Sequence, residues 1–175
     1  MLVAVHQPNF LPWLGYLDRM IRADLFILLD HVQFERRNYQ NRTRIRLDGR
    51  DHWLTVPVQQ HSRHERILDK RIDNPLPGEH CWASDLGRTL RHAYRNSPHL
   101  ERYAPPLRAI LDSRPEFLLD LDMAMLDFLR EAFAIRTPMI RSSQLEVGGA
   151  KSELILNLCR AVGADTYLAG MGGSR

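Results

Sequence analysis

The chain opens on Leu2-Val3-Ala4-Val5, four apolar residues closed abruptly by His6-Gln7-Pro8-Asn9. A run this short, bounded by polar residues and proline, has the length and composition of a strand. Pro8 and Pro12 each fix their own φ and push the preceding residue to extended backbone, so the connecting loop is stiff. Trp13, Leu14, Leu17 and Ile21 then recur at helical spacing, which predicts a helix from near Trp13 to near Arg22. Leu25–Leu29 is a second apolar run, closed by Asp30. Strand, helix and strand in this order predict a β-α-β unit, with parallel strands and a right-handed crossover. The fold class is therefore α/β.

Ligands of such folds bind outside the carboxyl ends of the strands. His6, Gln7 and Asn9 leave the first strand at that edge. Asp30, His31 and Gln33 leave the second. If the two strands are neighbours, these residues face one cleft. His6 is then a candidate general base, and Asp30 a candidate partner that orients its tautomer and raises its basicity.

From Glu35 to Arg50 the chain carries six arginines against two acids. Thr43, Ile45 and Leu47 alternate with Arg42, Arg44 and Arg46, and Asp48-Gly49 supplies a turn. The pattern predicts a β-hairpin with an apolar face and an arginine face, returning through Trp53 and Thr55 to Val56-Pro57. Guanidinium groups bind phosphate or carboxylate bidentately. Arg42, beside Asn41 at the start of the strand, is the best anion-binding candidate, whereas Arg44 and Arg46 read as a solvated face. Gln59–Arg71 reads as a loop, and its His61 and His64 lack partners at metal-binding spacing.

Helical spacing returns with Trp82, Leu86, Leu90 and Tyr94. A second helix is predicted from about Leu100 to Leu111. Ser113-x-x-Glu116 reads as a capping box opening a third helix, roughly Pro115 to Phe133, with Leu118, Leu121, Met125, Phe128 and Ala132 on one stripe. This helical segment spans about 80–133. Pro138–Arg141 predicts a short strand. Gly148-Gly149-Ala150-Lys151-Ser152 lacks the glycine before lysine that a phosphate loop requires, so it reads as a loop and helix start. The helix carries Leu154, Leu158 and Val162 and stops at Gly163. Thr166–Ala169 follows as a last strand. Tyr167, Gly170 and Gly172 therefore fall at another carboxyl end, where glycines permit close backbone approach to a ligand.

Bulk properties fit one domain. Twenty-four basic against 21 acidic residues leave a charge of +3, too mild to indicate nucleic acid. No apolar run is long enough to span a membrane and no secretory signal is evident, which predicts a cytoplasmic protein. Cys81 and Cys159 read as free thiols. No metal site is expected.

The segments HQPNFLPWLGYLDRM, LFILLDHVQF and NYQNRTRIR resemble the WbqC-like protein family, and the likeness extends to GADTYLAGMGG near the end. Members occur in bacterial O-antigen and other surface-polysaccharide (lipopolysaccharide) gene clusters. Family members typically continue some tens of residues further, so residues 1–175 are expected to be one domain that is short at its C-terminus. The resemblance implies a transferase that moves glycine or a similar acyl group onto an amino-sugar, with ATP or an activated amino-acid donor as co-reactant and a nucleotide-sugar as substrate. It supports roles for His6, Gln7, Pro8, Asp30, Gln33, Asn41 and Arg42.

Two other readings stand beside it. Pro12-Trp13-Leu14-Gly15-Tyr16 lies where nucleotidylyltransferases place a His-x-Gly-His signature. Trp13 and Tyr16 replace both histidines. The arrangement still fits a Rossmann-like, mostly parallel sheet with a hairpin insertion, and Trp13 and Tyr16 join the substrate-binding candidates at a phosphate-attracting helix start. The third reading is a non-catalytic binding protein of the same pathway.

Overall fold

A computed structural model of the protein describes residues 1–62, 64–76 and 78–170. The first apolar run forms strand β1, Leu2–His6, and the second forms β2, Leu25–Leu28. Helix α1, Leu14–Arg22, joins them. They pair in parallel, with Val3 opposite Leu25 and His6 opposite Leu28. The short crossover is sufficient because Asp24 receives the Leu2 backbone N–H at 2.7 Å and returns its own N–H to the Leu2 carbonyl at 2.8 Å.

Strand β3 is Arg42–Leu47 and β4 is Arg50–Thr55. They pair antiparallel with Leu47 opposite Arg50, so the loop is the two residues Asp48-Gly49. Both have positive φ, 46° and 78°, as the mirror-image turn of a tight hairpin requires. Helices α2, Trp82–Ala93, α3, Leu100–Ser113, and α4, Leu118–Ala132, follow. The chain ends with β5, Met139–Arg141, α5, Lys151–Ala161, and β6, Thr166–Tyr167.

The chain divides into two compact units. The first comprises Met1–Pro8, Trp13–Val32 and the residues from Arg130 on. Its sheet has four strands in the order β5-β2-β1-β6, every adjacent pair parallel. Val3, Ala4, Phe26, Ile27 and Leu28 are fully buried. Burying each of the Val, Phe, Ile and Leu side chains contributes about 1.5–3 kcal/mol of hydrophobic stabilisation. Leu154, Leu158 and Cys159 of α5 pack into the same core. The order has a reversal in it. From β1 the chain moves outward through β2 to β5, then crosses to place β6 on the other side of β1.

The second unit comprises Asn9–Pro12 and Gln33–Leu129. It holds the β3–β4 hairpin and helices α2 and α3, which pack on each other, with most of α4. Leu54, Ile67, Ile72, Leu111, Leu118 and Leu121 are buried to 2% exposure or less.

Several expectations need correction. On α1 the buried stripe is Tyr16, Leu17 and Met20, while Trp13, Leu14 and Ile21 are exposed. The Tyr16 ring meets Phe26 of β2 at 5.3 Å, so the sheet selects the face with the aromatic anchor. The Ser113 capping box does not form. Ser113 ends α3 and donates its hydroxyl to Ile110 O, and Arg114 turns into left-handed backbone instead. Trp53 stands opposite Arg44 on the arginine face, with Leu54 as the buried residue. The stretch expected to be a loop holds a 3-10 turn at Ile67–Asp69 and is anchored there. Ile67 is buried, and Lys70 pairs with Glu65 at 2.6 Å at 3% side-chain exposure.

Candidate functional site

Parallel pairing of β1 and β2 places His6 and Asp30 at one carboxyl edge, and Leu29 N–H donates to the His6 carbonyl at 2.8 Å. The two side chains then take different partners. His6 Nδ1 lies 3.0 Å from the Gln7 carbonyl, which can only accept, so Nδ1 carries the proton and Nε2 keeps the lone pair. Tyr16, buried, and Trp13, exposed, approach the imidazole at ring-centroid distances of 4.6 and 5.6 Å. Burial pushes the His6 pKa down to about 4, against the Gln7 hydrogen bond and with the help of the Arg19 charge. His6 is therefore neutral at pH 7.

Asp30, fully buried, gives its carboxylate to the segment after β5 rather than to His6. Oδ1 accepts from Ser142 Oγ at 3.0 Å and Ser143 N at 2.9 Å. Oδ2 accepts from Arg141 Nε at 2.6 Å and Ser143 Oγ at 2.7 Å. Burial alone would raise its pKa, but these hydrogen bonds outweigh it and hold the group below the usual carboxylate value. The orienting role foreseen for Asp30 toward His6 is not made. The signal that could have revealed its true partners is the polar cluster Arg141-Ser142-Ser143 at the end of a predicted strand.

Arg19 is the residue that sequence reasoning missed. From the middle of α1 its Nη2 donates to Val5 O at 3.3 Å and Leu168 O at 2.8 Å, at the ends of β1 and β6. A Cβ on Gly170 would lie 3.1 Å from Arg19 Nη1, so the glycine leaves room for the guanidinium. Among the described residues no acid pairs with Arg19, and its buried Nε has no hydrogen-bond partner. The legible clue is its own helix. Arg22 has Asp18 four residues before it and pairs with it at 3.0 Å, whereas Gly15, Tyr16, Arg22 and Ala23 surround Arg19 at that spacing.

The first unit thus gathers His6, Gln7, Trp13, Tyr16, Asp30, His31, Tyr167 and Gly170. Tyr16 supports His6 from within the core. Tyr167, on β6, is exposed. Gly172 lies outside the described residues.

Asn9, Gln33, Asn41 and Arg42 belong to the second unit. Asn41 is buried and donates its amide to Val56 O at 2.8 Å, closing the hairpin base. Asn9 is buried with Nδ2 unpartnered. Gln33 is exposed and its backbone bridges to Arg66. Arg42 lies 4.2 Å above the Trp53 ring and donates to the Arg37 carbonyl. Arg44 and Arg46 reach Asp51 across the strand pair at 3.1 and 4.0 Å, while among the described residues no acid pairs with Arg42. Among those residues no group of three or more His, Cys, Asp or Glu could hold a metal ion.

The class defined so far is an α/β protein with a polar carboxyl edge on a parallel sheet. The chain belongs to the WbqC-like protein family, whose sequence profile matches residues 7–175. It is 32% identical over 170 residues to the uncharacterized protein Rv1507c of Mycobacterium tuberculosis, covering 96% of this chain and 71% of that one. No solved structure matches. No helix among the described residues is long and apolar enough to cross a membrane.

Proposed function

We propose that this protein is a cytoplasmic transferase of bacterial surface-polysaccharide (O-antigen) biosynthesis, moving glycine or a similar acyl group to the amine of a nucleotide-linked amino-sugar. The observation that carries this reading is the strand reversal between β1 and β6, with neutral His6 and with Arg19, which no acid among the described residues pairs, at its carboxyl end. Open parallel sheets bind ligands at such a reversal. The chain order across the sheet, third-second-first-fourth, supports a Rossmann-like domain. We read residues 1–175 as one functional domain of this kind.

In the reaction, the acceptor nitrogen attacks the carbonyl carbon of an acyl donor activated as an ester, thioester or acyl phosphate. The C–N bond forms, and the bond to the leaving group breaks with its electron pair going to that group. The proton released from nitrogen passes to a base. His6 Nε2 receives the acceptor N–H as a hydrogen bond. Arg19 supplies positive charge for an anionic group of donor or acceptor, with the Gly170 backbone beside it.

The test is mass spectrometry of nucleotide-linked amino-sugars incubated with the protein, glycine (free or as activated donors) and ATP. A glycyl-sized mass gain that is lost in His6→Ala supports the reading. No gain with any donor, from folded protein, overturns it. AMP, ADP or no nucleotide by-product separates self-activating from pre-activated donors.

A further inference from the structure

We propose that His31 is the proton acceptor of this site, positioned and fixed in its tautomer by a buried Asp30–Ser142 relay; this rests on the transferase reading above. His31 Nδ1 lies 2.6 Å from Ser142 Oγ. The same oxygen accepts the Asp30 backbone N–H at 3.1 Å and stands 3.0 Å from Asp30 Oδ1. Ser142 has a single proton to give. An ionised carboxylate can only accept, so that proton goes to Asp30, and one serine lone pair remains after the Asp30 N–H is accommodated. It is filled by a proton on His31 Nδ1. The network therefore fixes the tautomer: Nδ1 donates and Nε2 carries the lone pair.

Protonation at Nε2 produces an imidazolium whose Nδ1–H points along a chain ending in a carboxylate. The hydrogen bonds of such a chain polarise one another. The 141–143 segment brings one charged group to this relay, Arg141, whose Nε donates to Asp30 Oδ2 at 2.6 Å. Ser142 and Asp30 are both fully buried, so the relay is dry, while His31 is half-buried. Ser142 is shut away from substrate and acts as a positioning residue, not a nucleophile. His6 has the opposite surroundings, aromatic rings and the Arg19 charge, and holds a proton poorly. The division of labour follows. His6 orients the acceptor amine; His31 Nε2 takes its proton as the C–N bond forms and the leaving group departs with its electron pair.

The deciding measurement is nitrogen-15 NMR of the histidine rings in the whole chain. In the unmodified protein His31 should be an Nδ1–H tautomer, the minor form in water. Ser142→Ala should move it toward Nε2–H, because the acceptor of the Nδ1 proton is gone. Ser142→Cys, which keeps a weak donor, should fall between. A His31 that is mainly Nε2–H in the unmodified protein overturns the relay, and this arm needs no variant to fold. So does a His31 tautomer balance that Ser142→Ala leaves in place. In the glycyl-transfer assay His31→Gln should lose roughly 10²–10⁴-fold in kcat with little change in KM. Unmodified rates in His31→Gln overturn the base assignment. If the unmodified protein gives no turnover, the transferase reading fails, and the His31 base assignment that depends on it fails with it. The NMR result then judges the relay by itself.

Discussion

Arg19 Nη2 donates to the Leu168 carbonyl at 2.8 Å, joining the helix after β1 to the segment after β6. The two strands that it links are those between which the sheet reverses its order. One guanidinium therefore fixes the geometry of the reversal and charges it. Charge-assisted hydrogen bonds contribute about 1.5–3 kcal/mol.

Replacing Arg19 by Gln should destabilise the protein by about 2 kcal/mol in urea melts. It should also raise the His6 pKa, because the Arg19 charge is one of the influences that lower it. Arg19→Lys should keep the His6 value low and recover part of the stability, since both carbonyls take their hydrogen bonds from the single nitrogen Nη2. A His6 pKa that stays put in Arg19→Gln would separate the two residues electrostatically.

His6 makes stability depend on pH with a definite sign. Its pKa is about 4 in the folded protein against 6.5 as the ordinary value. In the unfolded chain it binds a proton as pH falls through 6.5, while in the folded state it does not until about 4. Its contribution is thus present above pH 6.5 and lost progressively down to about pH 4, up to about 3 kcal/mol. Melts of His6→Gln should show a shallower decline across that window. An identical decline would place the acid lability elsewhere.

Asp122 of α4 is buried at 1% exposure, and neither carboxyl oxygen has a hydrogen-bond partner. Burial raises its pKa well above the usual carboxylate value. Here the sign is reversed: the folded state holds the proton after the unfolded chain has released it, so stability falls as pH rises above about 4. Asp122→Leu should stabilise the protein by about 1–3 kcal/mol at pH 7 and much less at pH 4. Equal gains at both pH values would count against a protonated Asp122.

Lys70 and Glu65 pair at 2.6 Å, with side-chain exposures of 3% and 16%. Glu65→Gln would leave a buried ammonium short of its counter-charge. A loss of about 3 kcal/mol in chemical denaturation is expected, and the double variant Glu65→Gln with Lys70→Met should recover most of it. Additive losses in the double variant would show that the pair is not coupled.

The hairpin was legible down to its turn because Asp48-Gly49 and the period-two alternation are local signals that agree. The helix α1 was legible in extent but not in orientation. Four apolar residues on one side looked like its core face, yet the Tyr16 ring found Phe26, a partner supplied by another strand. The Ser113 capping box failed for a related reason. The hydroxyl had a nearer acceptor in its own preceding turn, and Leu118 took the Lys70 carbonyl instead.

The sequence by itself determined the strands, the crossover, the hairpin and the identity of His6, Asp30 and His31 as carboxyl-edge residues. These follow from short-range periodicity and from where apolar runs stop. Only the tertiary structure decided which groups they serve. Asp30 and Ser142 are separated by 111 intervening residues and meet because β2 and β5 are neighbours in the sheet. Arg19 reaches Leu168 because β6 pairs with β1. Strand order is a property of the packed chain, and with it came the choice of partner for each polar side chain.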